Sequence, residues 1–180
     1  ERTRGMKLVV VGGAPYASDY ITRVRRAADP RVVFPGYVFG PGYWELQRNA
    51  YLFCAPTEVG GTHPVILEAL AAGNCVLVND YRPNAETVGD AGVYFSGQEG
   101  VSDLTRQLER LLDAPDAVEA YRDLARERAE LYSWEAVASA YEQLLLEVSD
   151  AGTHGPLPME RLRELERAEG LVDDFTRTAV

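Results

Sequence analysis

Five short, largely apolar segments alternate with stretches of helical spacing in the first half of the chain, and this alternation constrains the fold most strongly. The segments are residues 7–11, 31–34, 51–55, 75–79 and 91–95. The first, 7–11, has no polar alternation, which is typical of a strand covered on both faces of a parallel sheet. Strands and helices that alternate over short connections predict an α/β fold with a doubly wound, Rossmann-like parallel sheet.

The C-terminal part, from about residue 101 onward, is predicted to be helical. Residues 149–158 contain glycine and proline and are typical of a linker, and apolar residues at helical spacing beyond them indicate an amphipathic helix. We therefore expect one Rossmann-like domain over residues 1–150 and a linker with a C-terminal helix over 151–180. The apolar stripe of residues 158–176 needs a covering surface, which self-association through this helix would provide.

Composition excludes some classes of function. The formal net charge of −10 argues against nucleic acid as a partner, since phosphate backbones attract basic surfaces. Cys54 and Cys75 lie in apolar segments, so we expect free thiols rather than a disulfide framework. Neither an apolar run of roughly 20 residues nor a signal peptide is evident, and we expect a cytoplasmic protein.

Residues 57–63, the glycine loop, connect the apolar segment 51–55 to a predicted helix over 64–72. Adjacent glycines at 60 and 61 allow the backbone to approach a ligand closely, and a helix N-terminus offers unpaired N–H groups and a positive dipole end. Glu68, one turn into the helix, can accept hydrogen bonds from sugar hydroxyls. The segment predicts a phosphate-binding site, although an ordinary strand-to-helix loop is the alternative.

Other candidate sites lie in loops at the carboxyl ends of the predicted strands, residues 12–15, 37–43 and 80–86. Gly12-Gly13 does not fit G-x-G-x-x-G and no acid follows about 20 residues on, which disfavours a nicotinamide dehydrogenase. His63 could donate to a phosphate or a sugar hydroxyl, or could be a bystander. The sequence has no Cys/His metal spacing and no nucleophile elbow, so we predict no metal site.

The order of motifs resembles the C-terminal half of retaining, nucleotide-sugar-using glycosyltransferases of the GT-B fold. The motifs are Val-Gly-Gly at 11–13, Val-Val-Phe-Pro-Gly-Tyr-Val at 32–38, the glycine loop with Glu-Ala-Leu-Ala-Ala-Gly-Asn at 68–74, Pro-Asn-Ala-Glu at 83–86, Gly-Asp-Ala-Gly-Val-Tyr-Phe at 89–95 and Tyr-Ser-Trp at 132–134. The Gly-Gly-Thr-His-Pro and Asn-x-Glu forms are similar to those of bacterial polysaccharide and rhamnosyl-type transferases. The resemblance covers residues 6 to 148.

The resemblance implies that this half binds a nucleotide-diphosphate sugar as donor substrate, with no tightly bound cofactor, and faces a separate N-terminal acceptor domain. It implies that Glu68 holds the ribose hydroxyls, the backbone of 60–65 the diphosphate, and residues 36–39 the base. The donor-binding residues would be Gly12, Gly13, Val38, Phe39, Gly60, Gly61, Thr62, Pro64, Val65, Glu68, Asn84 and Glu86. It also allows peripheral membrane association of the full enzyme.

Two departures from the family pattern affect catalysis. The family carries two glutamates separated by seven residues, and Gly60 stands where the first is expected. Glu58, two residues earlier, is therefore a candidate catalytic residue, as is His63. The family's upstream Arg and Lys, which neutralise the diphosphate, lie before the start of this chain, and Arg82 and Arg48 are candidate substitutes. We expect the chain alone to bind nucleotide weakly, if at all, and to turn over no acceptor.

Two other functions fit the same residues. An isomerase of the nucleotide-sugar 2-epimerase type would also hold a diphosphate at residues 60–64. A non-catalytic module, with a degenerate site at Gly60 and a partner on the C-terminal stripe, is the second. The base, the sugar and the acceptor are left open by the sequence.

Overall fold

The computed structural model describes residues 5–150. The chain divides into two compact units between Ser133 and Trp134, and the second unit contributes one described helix, Trp134–Asp150. Residues 151–180, with the expected linker and the 158–176 helix, lie outside the described residues. The domain boundary at residue 150 stays a prediction.

The first unit contains parallel strands with flanking helices, and the predicted α/β class is confirmed. The strands are β1 (Leu8–Val11), β2 (Val32–Gly36), β3 (Phe53–Ala55), β4 (Val76–Asn79) and β5 (Gly92–Phe95). The helices are α1 (Ser18–Ala27), α2 (Pro41–Arg48), α3 (Pro64–Ala71), α4 (Arg82–Val88), α5 (Val101–Asp113) and α6 (Pro115–Ala129), and α7 is the helix Trp134–Asp150 of the second unit. Within residues 5–150 no helix is long and apolar enough to cross a lipid bilayer.

The core is built on β4, the central strand of the sheet β3-β4-β5, which is buried on both faces. Its side chains alternate between two apolar clusters, as the pleat of a strand requires. Val76 and Val78 pack with residues of α3, α4 and α6, whereas Leu77 packs with residues of α5, α6 and β5. This arrangement fixes the carboxyl ends of β3 and β4, from which the glycine loop and α4 begin.

The expectation that residues 7–11 are covered on both faces is wrong. Leu8 is 57% exposed and Val9 is 40% exposed. In the described part of the chain the strands form two sheets, and β1 pairs with β2 alone in the smaller one. A two-stranded sheet has too little surface to support covering layers on both faces, so its apolar side chains remain accessible.

Residues 82–88 form α4, although the sequence indicated a loop at 80–86. Pro83 lies in the first turn of this helix, where its missing N–H costs nothing and its fixed φ is already helical. The prediction of two free thiols is confirmed. Burial raises the pKa of both Cys54 and Cys75 to about 11.

Candidate functional site

The glycine loop connects β3 to α3 as predicted and leaves the start of the helix open. Gly60 has a φ of +122°, which favours glycine. His63 precedes α3 and makes no side-chain capping hydrogen bond. Thr62 and Val65 are exposed, the latter by 37%. Pro64 has no N–H and the Ile66 N–H donates to the His63 carbonyl oxygen at 2.9 Å, so the helix start offers a ligand the Val65 N–H beside those of the glycine loop.

Two side chains, those of Tyr81 and His63, lie next to Gly60. The Tyr81 hydroxyl donates to the Gly60 carbonyl oxygen at 3.1 Å. The His63 ring folds back over the loop, so that a Cβ at Gly60 would lie 3.0 Å from His63 Cε1. His63 Nε2 is buried and has no hydrogen-bond partner among the described residues. His63 thus lies at the phosphate end of the loop, and its ligand role stays a prediction.

Glu68 lies in the second turn of α3, partly buried, and its carboxylate is engaged from α2. The Tyr43 hydroxyl donates to Glu68 Oε2, and Gln47 Nε2 donates to the Tyr43 oxygen at 3.0 Å. Glu68 follows Pro64 by four residues and therefore lies on the same face of α3 as the first residue of the helix. The sequence analysis included Tyr43 in the candidate loop 37–43 without giving it a role, and it missed Gln47. The structure places both on α2, four residues apart.

The Tyr43 hydroxyl is held in its protonated form. Burial raises the pKa of Tyr43, the hydrogen bond to Glu68 raises it further, and the Gln47 amide opposes part of this shift. A phenol with a raised pKa keeps its proton at neutral pH. Tyr43 is therefore a stable donor to the Glu68 carboxylate.

Asn84 is buried, although the resemblance puts it on the sugar side of a cleft. Its Nδ2 donates to the Thr57 carbonyl oxygen at 3.0 Å and to Asn79 Oδ1 at 2.6 Å. These bonds join the glycine loop to the end of β4. Asn84 Oδ1 has no hydrogen-bond partner among the described residues. The structure gives Asn84 a role in shaping the loop, and direct contact with a sugar stays a prediction.

Glu86 is exposed on α4 and pairs with Arg82 at 2.8 Å, in an i,i+4 arrangement. Both side chains are more than half exposed, so the pair is weak. Arg82 can bind a diphosphate only if its ion pair with Glu86 is broken. Glu86, which the resemblance implies, is therefore in contact with the candidate substitute cation Arg82.

The ends of β1 and β2 form a second group of candidate residues. The Gly12 N–H donates to the Gly36 carbonyl oxygen at 2.8 Å, and the Tyr37 hydroxyl donates to the Gly13 carbonyl oxygen at 2.5 Å. Phe39 is 80% exposed and stacks on Tyr37 with ring centroids 6.0 Å apart. Val38, between them in sequence, is partly buried. An exposed aromatic pair beside a glycine turn offers a flat surface to a base.

Glu58 opens onto a cavity of about 270 Å³ at the carboxyl ends of β3, β4 and β5. The cavity is lined by Glu58, Asn79, Asp80, Tyr81, Gly97 and Gln98. The sequence analysis did not predict Gly97 or Gln98, because they become neighbours of Glu58 only through the strand order. Over residues 5–150 no group of three or more His, Cys, Asp or Glu is placed to hold a metal ion.

Comparisons with known proteins bear on the family and the fold of this chain. The sequence profile of the family described as "Glycosyl transferases group 1" matches residues 1–114. The chain is 31% identical over 111 residues to the MMP alpha-(1->4)-mannosyltransferase of Mycolicibacterium hassiacum, which covers 58% of this chain and 27% of that protein.

Solved structures support the same fold. The sucrose-phosphate synthase of Thermosynechococcus elongatus is 23% identical with a TM-score of 0.67, over 81% of this chain and 39% of that one. Anabaena Alr3699/HepE in complex with UDP is 18% identical with a TM-score of 0.67, over 81% of this chain and 41% of that one.

The chain spans between about a quarter and two fifths of the length of these proteins. Because the two solved structures share less than a quarter of their residues with this chain, the similarity supports the fold alone. That fold is the parallel α/β architecture of GT-B glycosyltransferases. The family match is independent of them and covers more than half of the chain. The chain therefore belongs to the group 1 glycosyl transferases.

Proposed function

We propose that this chain is the donor-binding half of a glycosyltransferase and holds a nucleotide-diphosphate sugar. One observation carries the proposal: an open glycine loop leads into a helix without a side-chain cap, and Glu68 lies one turn into the same helix with its carboxylate held by Tyr43. Family membership is independent support. The acceptor would be held by a separate N-terminal domain.

The glycine loop and the start of α3 would hold the diphosphate through backbone N–H groups. The chain has a formal net charge of −10, so an anion needs local positive potential. A helix N-terminus provides the equivalent of roughly half a positive charge together with donors that point at the ligand. Gly61 and Thr62 are exposed, which leaves room for phosphate oxygens.

Glu68 would accept hydrogen bonds from the ribose hydroxyls. The ribose of a nucleoside diphosphate is adjacent to its α-phosphate, so an acid one turn into the phosphate-binding helix lies in reach of it. The exposed pair Tyr37 and Phe39 would flank the base. Glu58, with its cavity of about 270 Å³, would face the transferred sugar in place of the acid that Gly60 replaces.

The reaction would be glycosyl transfer with retention, as the resemblance implies. Arg82, a candidate cation for the diphosphate, is paired with Glu86, so the described residues support binding better than charge stabilisation of a diphosphate leaving group. We therefore expect the chain alone to bind donor nucleotide without transferring sugar to an acceptor. Conversion of UDP-GlcNAc without any acceptor would favour the isomerase instead.

Calorimetric titration tests the proposal. The full chain is titrated with UDP, GDP and ADP, and with the monophosphate of whichever base binds. We expect one diphosphate to bind and its monophosphate to bind more weakly. We expect Glu68→Ala to weaken binding of the diphosphate by about tenfold or more.

The control is Glu127→Gln, which changes the net charge equally at an exposed position of α6. We expect this variant to bind like the unmodified chain. Absence of binding for all three diphosphates, or binding that ignores Glu68→Ala, would overturn the proposal.

A further inference from the structure

Four side chains form one continuous hydrogen-bonded chain that begins at the C-terminal end of α3 and returns to the same helix at Glu68. Asn74 Nδ2 donates to Gln47 Oε1 at 3.2 Å, Gln47 Nε2 donates to Tyr43 at 3.0 Å, and Tyr43 donates to Glu68 Oε2. Asn74 and Gln47 are 1% and 5% exposed. This series of hydrogen bonds therefore connects the buried Asn74 side chain to the partly exposed carboxylate of Glu68.

The direction of every bond follows from one backbone group. Asn74 Nδ2 also donates to the Gln47 carbonyl oxygen at 2.9 Å, and a carbonyl can only accept. The Asn74 amide must then present its nitrogen to Gln47 Oε1, which turns the Gln47 nitrogen toward Tyr43. Because the Tyr43 oxygen accepts from Gln47, its single proton is directed to Glu68. All donors thus point toward Glu68, and the hydrogen bonds of such a series polarise and strengthen one another.

From this arrangement we propose that Tyr43, oriented by Gln47 and Asn74, is a positioning residue that sets Glu68 for recognition of the ribose. This inference rests on the proposed function and adds Tyr43, Gln47 and Asn74 to the residues that act on Glu68. Tyr43 fixes one carboxylate oxygen, and Glu68 Oε1 accepts no hydrogen bond among the described residues. The rotamer entropy of Glu68 is lost on folding rather than on nucleotide binding, which is the usual benefit of preorganisation.

The test separates the ribose from the rest of the ligand. The full chain and its Tyr43→Phe variant are titrated with the preferred nucleoside diphosphate and with its 2′,3′-dideoxy form. Phenylalanine keeps the ring and its edge contact with Trp44, whose centroid is 5.2 Å away. We expect Tyr43→Phe to weaken binding of the ribonucleotide by about fivefold to tenfold and to leave binding of the dideoxynucleotide unchanged.

A second variant and a control keep the result interpretable. Gln47→Met conserves volume but removes the donor to Tyr43, and we expect a smaller loss with the same ribose dependence. Tyr51→Phe removes another partly buried hydroxyl, which donates to the Leu111 carbonyl oxygen at 3.0 Å away from Glu68, and we expect no effect on either nucleotide. Thermal unfolding of each variant reports on folding.

The outcomes distinguish the two proposals. Equal losses for both nucleotides, or no loss in Tyr43→Phe while Glu68→Ala weakens binding, would overturn the positioning role and leave the donor site standing. If the unmodified chain binds no nucleotide, or binds it regardless of Glu68→Ala, the proposed function falls and the positioning role falls with it.

Discussion

The Tyr81 hydroxyl holds the Gly60 carbonyl oxygen at 3.1 Å, which joins the loop after β4 to the glycine loop. The Gly60 carbonyl and the Gly61 N–H belong to one planar trans peptide and point in opposite directions. A bond to the carbonyl therefore also orients the Gly61 N–H, directing it away from Tyr81. The sequence separation of 21 residues hides this relationship, since only the parallel pairing of β3 with β4 brings the two loops together.

Tyr81→Phe should weaken binding of a nucleoside diphosphate by about threefold to tenfold, because the Gly60–Gly61 peptide loses one hydrogen bond that orients it. Binding of the monophosphate should change less if the second phosphate rests on this peptide. Calorimetry with both ligands measures the difference, with Tyr51→Phe as the control. Equal loss for both ligands would mean that Tyr81 supports the fold rather than the phosphate site.

Gly60→Ala should destabilise the ligand-free protein by about 1–2 kcal/mol, because an L side chain is strained at a φ of +122°. Its Cβ would also press on His63 at 3.0 Å. Gly61→Ala is the matched control, since a Cβ there meets nothing within 4 Å. Urea unfolding measures both variants, and equal stability of the two would contradict the loop geometry.

Glu58→Gln should weaken binding of a nucleotide sugar and leave the corresponding nucleoside diphosphate unaffected. The reason is that Glu58 lines a cavity with Asp80 and Tyr81 to which residues 60–65, the proposed diphosphate site, do not contribute. Titrations with UDP, UDP-glucose, GDP and GDP-mannose test this, with Glu127→Gln as the charge control. Identical affinities of the variant and the unmodified chain for every sugar nucleotide would remove Glu58 from the sugar site.

The cysteines should react slowly with iodoacetamide in the folded protein. Burial raises the pKa of Cys54 and Cys75 from 9.0 to about 11, and two pKa units reduce the thiolate fraction at pH 8 by about a hundredfold. Mass spectrometry of native and urea-unfolded samples measures the rates, and equal rates would contradict the burial.

The same thiols give a stability prediction with a definite sign. Their folded-state pKa is raised, so folding favours the neutral thiols, and this contribution is complete below pH 9. It is lost as the pH rises from about 9 through about 11. The free energy of unfolding should fall across this range, and the fall should be smaller in a Cys54→Ala, Cys75→Ala double variant than in the unmodified chain.

Local signals predicted most of the strands and the glycine loop. The apolar segments 75–79 and 91–95 predict strands, and β4 and β5 are present there. Such features depend on residues close in sequence. The exposed state of β1 could not be predicted, because whether a strand is covered depends on the layers around it and not on its own apolar run.

The sequence predicts the loop and helix of the candidate site, but not the side chains from other elements that contact them. Glycines and the acid at 60, 61 and 68 follow from spacing on one strand and one helix. Tyr43 and Tyr81 contact them across 25 and 21 residues of sequence, through helix and strand packing that one sequence does not encode locally. Asn84 also differs, because α4 turns its amide inward to Thr57 and Asn79.

Backbone amide shifts in ¹H–¹⁵N spectra test the central claim most directly, namely that backbone N–H groups at the start of α3 hold the diphosphate. The full chain is titrated with its preferred nucleoside diphosphate and then with the monophosphate. We predict that the diphosphate moves the amides of Gly60, Gly61, Thr62 and Val65 most, and the monophosphate less. Shifts that leave these four amides unchanged while others move would contradict the account.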